Sequence, residues 1–393
     1  PITKNLSSGT LDGSGVKYYI CRNDNPNDSI VLTLIVHVGS LMENDDEQGL
    51  AHFIEHLGFK STKSFEHYEL VKFLESLGIS YGPDLNASTH LLETVFRLNI
   101  KFDDDCSQLA MGINVLSEWA YHMSISDTDV VEERQVIAAE YMAKQGVGNR
   151  LLKQYWKAIF DTSNSQTPPT CEASALLSKR FPIGIPEVFM QCDHTHIRDF
   201  YQKWYRPENM SVLVCGSVHN RQEEILSLLE KAFTLPSHIP QSQPASLSQP
   251  PATPTVVEKD KEAPSYSSSS VSTPAITAFS TRCQQLQEKF LVLPTLHTKE
   301  DVVVAMVDTD LSCTQICFEF FSPVQKSRTT NFIRQDILRR IMSSVLDKRF
   351  NELHKNRGHI PSDVIHMPTN SQNIASPFLS VQISIREFVR GLV

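Results

Sequence analysis

A long segment with few large apolar side chains divides this chain into two parts. Residues 236–282 are rich in Ser, Pro, Thr and Gln, as in PQSQPASLSQPPATP and SYSSSSVSTP. Such a composition buries too little apolar surface to offset the entropy that is lost on ordering. We therefore predict a first domain over residues 1–235, a disordered linker or insertion over 236–282, and a second domain over 283–393.

Charge and cysteine usage limit the classes of protein to consider. A net charge of −9 argues against binding to nucleic acid or to an anionic membrane surface. The eight cysteines form no pair of CxxC motifs, so a thiolate zinc site is not expected, and their scatter favours a reducing compartment. No apolar run approaches the roughly 20 residues that a membrane span requires. Since the chain begins at Pro1 and not at methionine, we expect any targeting peptide to lie upstream.

The first domain alternates strand and helix patterns, which predicts an α+β fold. The runs VKYYICRND and SIVLTLIVHVGSL are rich in apolar and β-branched residues, and we expect them to pair in one sheet. A helix is predicted from Leu50 to Phe59, where apolar residues recur at helical spacing. Two further helices (DHTHIRDFYQKWY and QEEILSLLEKAF) flank the buried strand MSVLVCGSV. Asp193 is predicted to cap the first of these helices, which explains it better than a second metal site with His194 and His196.

A pattern resembling the start of the chain returns after the linker. EDVVVAMVDTD and LSCTQICFEFFSP are predicted strands, and TNFIRQDILRRIMSSVLDKRFNEL is a predicted long helix. The order strand, strand, helix repeats that of the first domain. We therefore expect one complete copy of the architecture followed by a partial second copy.

The stretch HFIEH, residues 52–56, is a candidate metal site. Histidines at positions i and i+4 of a helix project from the same side, so His52 and His56 can hold one metal ion. Glu55 lies beside the second histidine, where a carboxylate can act as general base on the attacking water. The alternative is an ordinary amphipathic helix, and a third ligand from elsewhere in the chain would decide between the two.

A downstream helix offers carboxylates for that third ligand. Ser126 and Asp129 have capping-box spacing before VVEERQVIAAEYMAK, which predicts that a helix begins there. Glu133 and Glu140 are separated by two helical turns and therefore lie on the same face. Glu132, next to them, is a further candidate.

Four segments in order resemble the pitrilysin/insulinase family of zinc metallopeptidases, in its bacterial-type and processing-peptidase-like branches. They are HFIEHLGFKSTKSF, LGISYGPDLNASTHLLETVFRL, VEERQVIAAEYM, and RFPIGIPE followed by FYQKWYRPENMSVLVCG. The resemblance covers residues 16–218 and resumes more weakly from residue 302. It implies a pitrilysin-like mixed sheet with helices packed on one face.

The resemblance also implies roles for individual residues. His52, His56 and Glu140 would bind one Zn²⁺ ion per chain, Glu55 would be the general base, and Glu133 would support a ligand. A shorter spacing that is common in the family would instead make Glu133 the third ligand.

The element NAST resembles a family strand that holds substrate. Asn86, Ala87 and Ser88 would bind an extended peptide through main-chain hydrogen bonds. A turn role for Asn86 is the alternative.

These implications define the expected function. The chain is predicted to be a zinc-dependent metalloendopeptidase that acts on peptides or unfolded protein segments. A non-catalytic binding or assembly subunit on the same fold is the alternative. The expected partners are peptide substrates and either the C-terminal half of a longer protein or a partner subunit.

Overall fold

The structure is a computed structural model. It describes residues 5–23, 29–101, 106–160, 176–218 and 221–235, and beyond them residues 310, 314–322, 362–365, 379–387 and scattered positions between 334 and 352. The predicted linker at 236–282 and nearly all of the predicted strand EDVVVAMVDTD lie outside the described residues. The domain boundaries therefore stay predictions.

A six-stranded mixed sheet forms the centre of the first part of the chain. Its strands are β1 (Leu6–Thr10), β2 (Lys17–Arg22), β3 (Ser29–Val36), β4 (Leu85–Thr89), β5 (Thr94–Lys101) and β6 (Met210–Gly216). The spatial order is β1-β2-β6-β3-β5-β4, which leaves β4 at one edge. The element NAST, which lies in β4, is therefore at an edge of the sheet.

The predicted direct pairing of β2 with β3 was wrong. Both strands belong to the same sheet, but β6 lies between them, parallel to β2 and antiparallel to β3. β6 is mostly buried, and a buried strand must satisfy its backbone groups on both sides. Insertion between two earlier strands meets that requirement.

Eight α-helices with both ends among the described residues accompany the sheet. They are α1 (Leu50–Lys60), α2 (Glu69–Ser76), α3 (Ser107–Tyr121), α4 (Asp127–Ala143), α5 (Val147–Phe160), α6 (Pro186–Phe189), α7 (His194–Trp204) and α8 (Gln222–Ala232). Two predicted caps are confirmed: the Ser126 hydroxyl accepts a bond from the Asp129 N–H at 3.1 Å, and Asp193 accepts one from the His196 N–H at 2.8 Å. No helix among these residues combines the length and apolar character needed to cross a membrane.

Helices α1 and α3 pack on one face of the sheet, as predicted. The Trp119 ring of α3 stacks on Phe96 of β5 with ring centroids 5.1 Å apart, and its indole N–H donates to the Gly58 carbonyl of α1 at 2.9 Å. On the opposite face Val31 is only half-buried and Arg97 is exposed. The core therefore lies between the sheet and these helices, and α1 is fixed against it.

A second sheet contains the strands described later in the chain. β7 (Thr314–Ser322), β8 (Ser362–Ile365) and β9 (Leu379–Glu387) pair antiparallel in the order β7-β9-β8. The strand predicted in LSCTQICFEFFSP is β7. The described positions between 334 and 352 are helical, in agreement with the predicted long helix.

Candidate active site

Helix α1 presents two histidine rings toward helix α4. The rings of His52 and His56 lie one turn apart with centroids separated by 4.6 Å. Glu140 of α4 approaches both: its Oε2 atom is 3.1 Å from His56 Nε2 and 3.5 Å from His52 Nε2. One donor atom from each of these three residues lies within 4.8 Å of the other two. Two imidazole nitrogens and a carboxylate oxygen form a donor set that suits zinc.

Glu133 contacts the other side of the His56 ring. Its Oε1 atom is 2.8 Å from His56 Nδ1, and its Oε2 atom accepts a hydrogen bond from the Tyr68 hydroxyl at 3.0 Å. A carboxylate at Nδ1 fixes that nitrogen as the donor and directs Nε2 toward Glu140. The two glutamates that the sequence left open as third ligand thus face opposite nitrogens of one ring.

Glu55 is joined to the end of strand β4. The Thr89 hydroxyl donates to Glu55 Oε2 at 2.6 Å. Burial raises the pKa of Glu55, and the bond from Thr89 lowers it. Sequence reasoning missed Thr89, although it is the last residue of the quoted element NAST. The carboxylate is therefore held beside both the histidines and the edge of the sheet.

The charges around the two histidines favour a cation between them. Burial and the neighbouring His56 lower the pKa of His52 to about 3, so this ring is neutral. Burial lowers the pKa of His56, but hydrogen bonds to Glu133 and Glu140 outweigh it and raise the pKa to about 9. The bond from His56 lowers the pKa of Glu140 to about 2. Two carboxylates thus face the His56 ring, and a divalent ion held by His52, His56 and Glu140 would take the place of the proton at His56 Nε2.

The backbone hydrogen bonds of β4 alternate between its two sides, and this alternation determines which N–H and C=O groups point away from the sheet. The N–H of Asn99 donates to Asp84, and the N–H of His90 donates to Glu93, so even-numbered residues of β4 bond to β5. In an antiparallel ladder the intervening residues turn their backbone groups to the other side. Ala87 and Thr89 therefore present N–H and C=O groups at the edge, whereas the predicted Asn86 and Ser88 bond inward.

The Asn86 side chain covers part of this edge. Its Oδ1 atom accepts the N–H of Ala87 at 2.8 Å, and its Nδ2 atom donates to the Gly82 carbonyl at 3.2 Å. The turn interaction that was the alternative role for Asn86 is thus present. The Asn86 side chain thus occupies the Ala87 N–H, which an added peptide strand would need as a hydrogen-bond donor.

A pocket of about 390 Å³ opens beside Glu55 and His56. The aromatic rings of Phe59, Tyr68 and Tyr81 line it together with those two residues. Such a combination of apolar walls with a few polar groups is typical of a site for a ligand side chain. Glu55 lines the pocket and is bonded to Thr89 of β4, so the pocket lies next to this edge of the sheet.

A buried carboxylate that the sequence did not reveal fixes the start of α1. Glu43 accepts the N–H groups of Gly49 and Ala51, both at 3.0 Å. These N–H groups at the helix N-terminus have no carbonyl partner within the helix, so the Glu43 side chain supplies their acceptors. Gly49 has a φ of 100° and contacts Gly184 so closely that a Cβ atom on Gly184 would lie 2.4 Å from the Gly49 Cα. The segment before His52 is therefore held tightly in place.

Comparison with known proteins identifies the family. The model for the insulinase family, Peptidase family M16, matches residues 18–166, and the model for the Peptidase M16 inactive domain matches residues 191–359. The chain belongs to the M16 peptidase family, which includes insulinase and pitrilysin, and the resemblance seen in the sequence is confirmed.

Several curated relatives are named as zinc proteases or processing peptidases. The chain is 33% identical over 208 residues to "Zinc protease PQQL-like" of Arabidopsis thaliana, which covers 53% of this chain and 20% of that protein. It is 32% identical over 230 residues to "Probable zinc protease PqqL" of Escherichia coli, and the match covers 58% of this chain and 23% of that protein. It is 30% identical over 224 residues to the chloroplastic stromal processing peptidase of Pisum sativum, and the match covers 56% of this chain and 16% of that protein. The chain thus spans about a fifth of the length of these relatives.

Solved structures confirm the fold class. The first half of the periplasmic protease PqqL from Escherichia coli superposes with a TM-score of 0.65 at 21% identity, over 98% of this chain and 68% of that one. A protein described as a predicted insulinase family protease from Yersinia pestis gives a TM-score of 0.58 at 17% identity, with the same coverage. The pitrilysin-like α+β fold is therefore established, and the chain is a member of a family of zinc proteases.

Proposed function

We propose that this chain is the catalytic part of a zinc-dependent metalloendopeptidase that hydrolyses peptide bonds in peptides or unfolded protein segments. The observation that supports this most directly is the convergence of His52, His56 and Glu140 within 4.8 Å, with the half-buried Glu55 beside them. These residues would hold one zinc ion, in agreement with the names of the relatives. A bound zinc ion would lower the pKa of a water molecule to about 7 and polarise the scissile carbonyl.

The residues of the chain would divide the remaining tasks. Glu55 takes a proton from the attacking water and delivers it to the nitrogen of the leaving amine. Thr89 orients the Glu55 carboxylate by the bond at 2.6 Å. Glu133 holds His56 through Nδ1, which keeps Nε2 available as a ligand.

The edge of the sheet would hold the substrate in extended form. The outward backbone groups of Ala87 and Thr89 can pair with a peptide as an added strand, once the Asn86 side chain has swung away from the Ala87 N–H. Main-chain pairing tolerates many sequences, so we propose that an unfolded conformation is the main requirement. The pocket lined by Phe59, Tyr68 and Tyr81 would receive one substrate side chain.

The non-catalytic alternative is less well supported by the described residues. The inactive-domain model matches residues 191–359, whereas the candidate site lies between residues 52 and 140, within the match to the peptidase model. We further propose that a second half of a longer protein, or a partner subunit, completes the substrate cleft. The coverage of about a fifth of the curated relatives supports this.

The test combines metal analysis with one substitution. The purified chain should contain one zinc ion, and Glu55→Gln should keep that zinc while hydrolysis of an unfolded protein substrate falls by at least about a hundredfold. Glu223→Gln, which changes an exposed glutamate of α8 outside the pocket, is the control and should stay active. Activity is measured in the chain alone and in the longest natural reading frame that contains it. A chain without zinc, or retained hydrolysis by Glu55→Gln, would contradict the proposal.

A further inference from the structure

We propose that Tyr68 and Lys60 are positioning residues that hold Glu133 against His56 and so set the affinity of the site for zinc. The inference rests on the proposed function, because it concerns residues that act through a metal ligand. It is based on a continuous series of hydrogen bonds that runs from a buried ammonium group to His56.

The contacts define both the series and its direction. Lys60 Nζ donates to the Tyr68 hydroxyl at 3.2 Å, and that hydroxyl lies 3.0 Å from Glu133 Oε2. An ammonium group can only donate, so the hydroxyl accepts from Lys60 and gives its own proton to Glu133. The other carboxylate oxygen of Glu133 then faces His56 Nδ1 at 2.8 Å. The bonds from Lys60 to Tyr68 and from Tyr68 to Glu133 run in one direction and strengthen each other, and the His56 N–H donates to Glu133 from the other side.

Lys60 is placed for this role by burial and charge. Its side chain is only 3% exposed, and its ammonium lies 2.5 Å from Glu132 Oε2 and 4.3 Å from the centre of the Tyr68 ring. A buried charge requires partners of this kind. The adjacent residues Glu132 and Glu133 therefore have separate tasks: the first neutralises Lys60, and the second holds the histidine.

The backbone at Tyr68 adopts a conformation that only a well-determined environment maintains. His67 and Tyr68 have φ angles of 39° and 63°, in the left-handed region that residues with a side chain rarely occupy. The Tyr68 N–H donates to the Lys60 carbonyl at 2.7 Å, which joins the same two residues a second time. Both backbone and side chain thus present the tyrosine hydroxyl to Glu133.

Tyr68 also connects the metal ligand with the pocket. Tyr68 as a whole is 38% exposed, and it forms part of the pocket wall beside Glu55 and His56. The ring would touch a substrate side chain in the pocket, while the hydroxyl acts on Glu133. Loss of the hydroxyl is therefore expected to affect metal binding, and loss of the ring is expected to raise KM in addition.

The test measures zinc affinity in the whole 393-residue chain by competition with a chromophoric chelator. Tyr68→Phe keeps the ring and should bind zinc about tenfold more weakly, at the lower end of the effects seen for residues behind a metal ligand. Tyr81→Phe removes a hydroxyl from another tyrosine of the same pocket and should leave the affinity within about twofold of the parent chain. Lys60→Met should weaken zinc binding, whereas Lys60→Arg, which keeps the charge, should largely preserve it.

Two readouts separate positioning from a loss of structure. The visible spectrum of the Co²⁺-substituted chain reports the ligand geometry and should change in Tyr68→Phe. The metal-free variant should still unfold in one cooperative transition, with a Tm only slightly below that of the parent chain because two hydrogen bonds are lost. Equal zinc affinity and equal Co²⁺ spectra in Tyr68→Phe and the parent would overturn this inference alone. A parent chain that binds no zinc would overturn the proposed function together with it.

Discussion

The bond between Thr89 and Glu55 joins the proposed base to the strand that would hold the substrate. Because the Thr89 hydroxyl donates to the carboxylate, it favours the ionised form, while burial favours the protonated form. The net pKa of Glu55 is raised. Glu55 must be ionised to accept a proton, so activity should be present above its pKa and lost as the pH falls through it.

Replacing Thr89 with valine should therefore shift the acidic limb of the pH profile to higher pH. The substitution removes the hydrogen bond that opposes burial most strongly, so the pKa of Glu55 rises further. We expect kcat/KM on the acidic limb to fall about tenfold for each unit by which the Glu55 pKa rises, and the plateau at higher pH to stay unchanged. The measurement is kcat/KM against pH, with Thr89→Ser as the control that keeps the hydroxyl. An unshifted acidic limb in Thr89→Val would show that the bond does not tune the base.

The sequence predicted the individual site residues unevenly. His52, Glu55 and His56 follow from a local motif, because one helix fixes their mutual positions. The choice between Glu133 and Glu140 stayed open, since residues two turns apart share a face and only their contacts with the two nitrogens of His56 separate them. The structure brings all five together, but their roles in metal binding and catalysis remain proposals.

At the scale of secondary structure elements, the start of helix α1 determines where the histidines lie. Glu43 acts as a remote cap, because it accepts the N–H groups of Gly49 and Ala51 from a position six and eight residues earlier in the chain. A cap is usually predicted from the side chain of the residue immediately before a helix, and here that residue is Gly49, which has no side chain. This explains why the sequence analysis did not find the cap.

Removing the remote cap should loosen the helix that carries both histidines. Glu43→Ala leaves the N–H groups of Gly49 and Ala51 buried without this acceptor, at a cost of about 1–3 kcal/mol in the free energy of unfolding. Glu43→Gln keeps one acceptor oxygen, so its free energy of unfolding should lie between those of Glu43→Ala and the parent chain. Asp46→Ala, at an exposed position of the same loop, should change stability by less than about 0.5 kcal/mol. Denaturant unfolding measures all three, and equal stability of Glu43→Ala and Asp46→Ala would refute the cap.

Strand order was harder to predict than the strands themselves. The sequence identified β2, β3 and β6 from their apolar runs but placed β2 directly beside β3. Local patterns report burial and period, whereas neighbour relations depend on contacts between distant parts of the chain. The mostly buried pattern of β6 was the available signal that this strand lies inside the sheet.

At the scale of the whole molecule, β6 joins the N-terminal hairpin to the strands beside the site. A chain that ends at residue 235 includes β6 and should fold and bind zinc, if the predicted domain boundary is correct. A chain that ends at residue 205 lacks β6, so β2 and β3 lose their common partner, and it should show neither cooperative unfolding nor zinc binding. Circular dichroism and metal analysis of the two chains test this. A folded, zinc-binding chain of 205 residues would contradict the central role of β6.

The position of β6 also has a consequence for synthesis on the ribosome. The ribosome synthesises β6 (Met210–Gly216) after the residues of the candidate site, His52, His56 and Glu140. The sheet that supports the site can therefore form only when β6 has emerged. During that interval β2 and β3 each expose an unpaired side, which is the kind of edge that recruits other chains. The nascent protein is therefore most exposed to aggregation, and most in need of a chaperone, just before its central strand emerges.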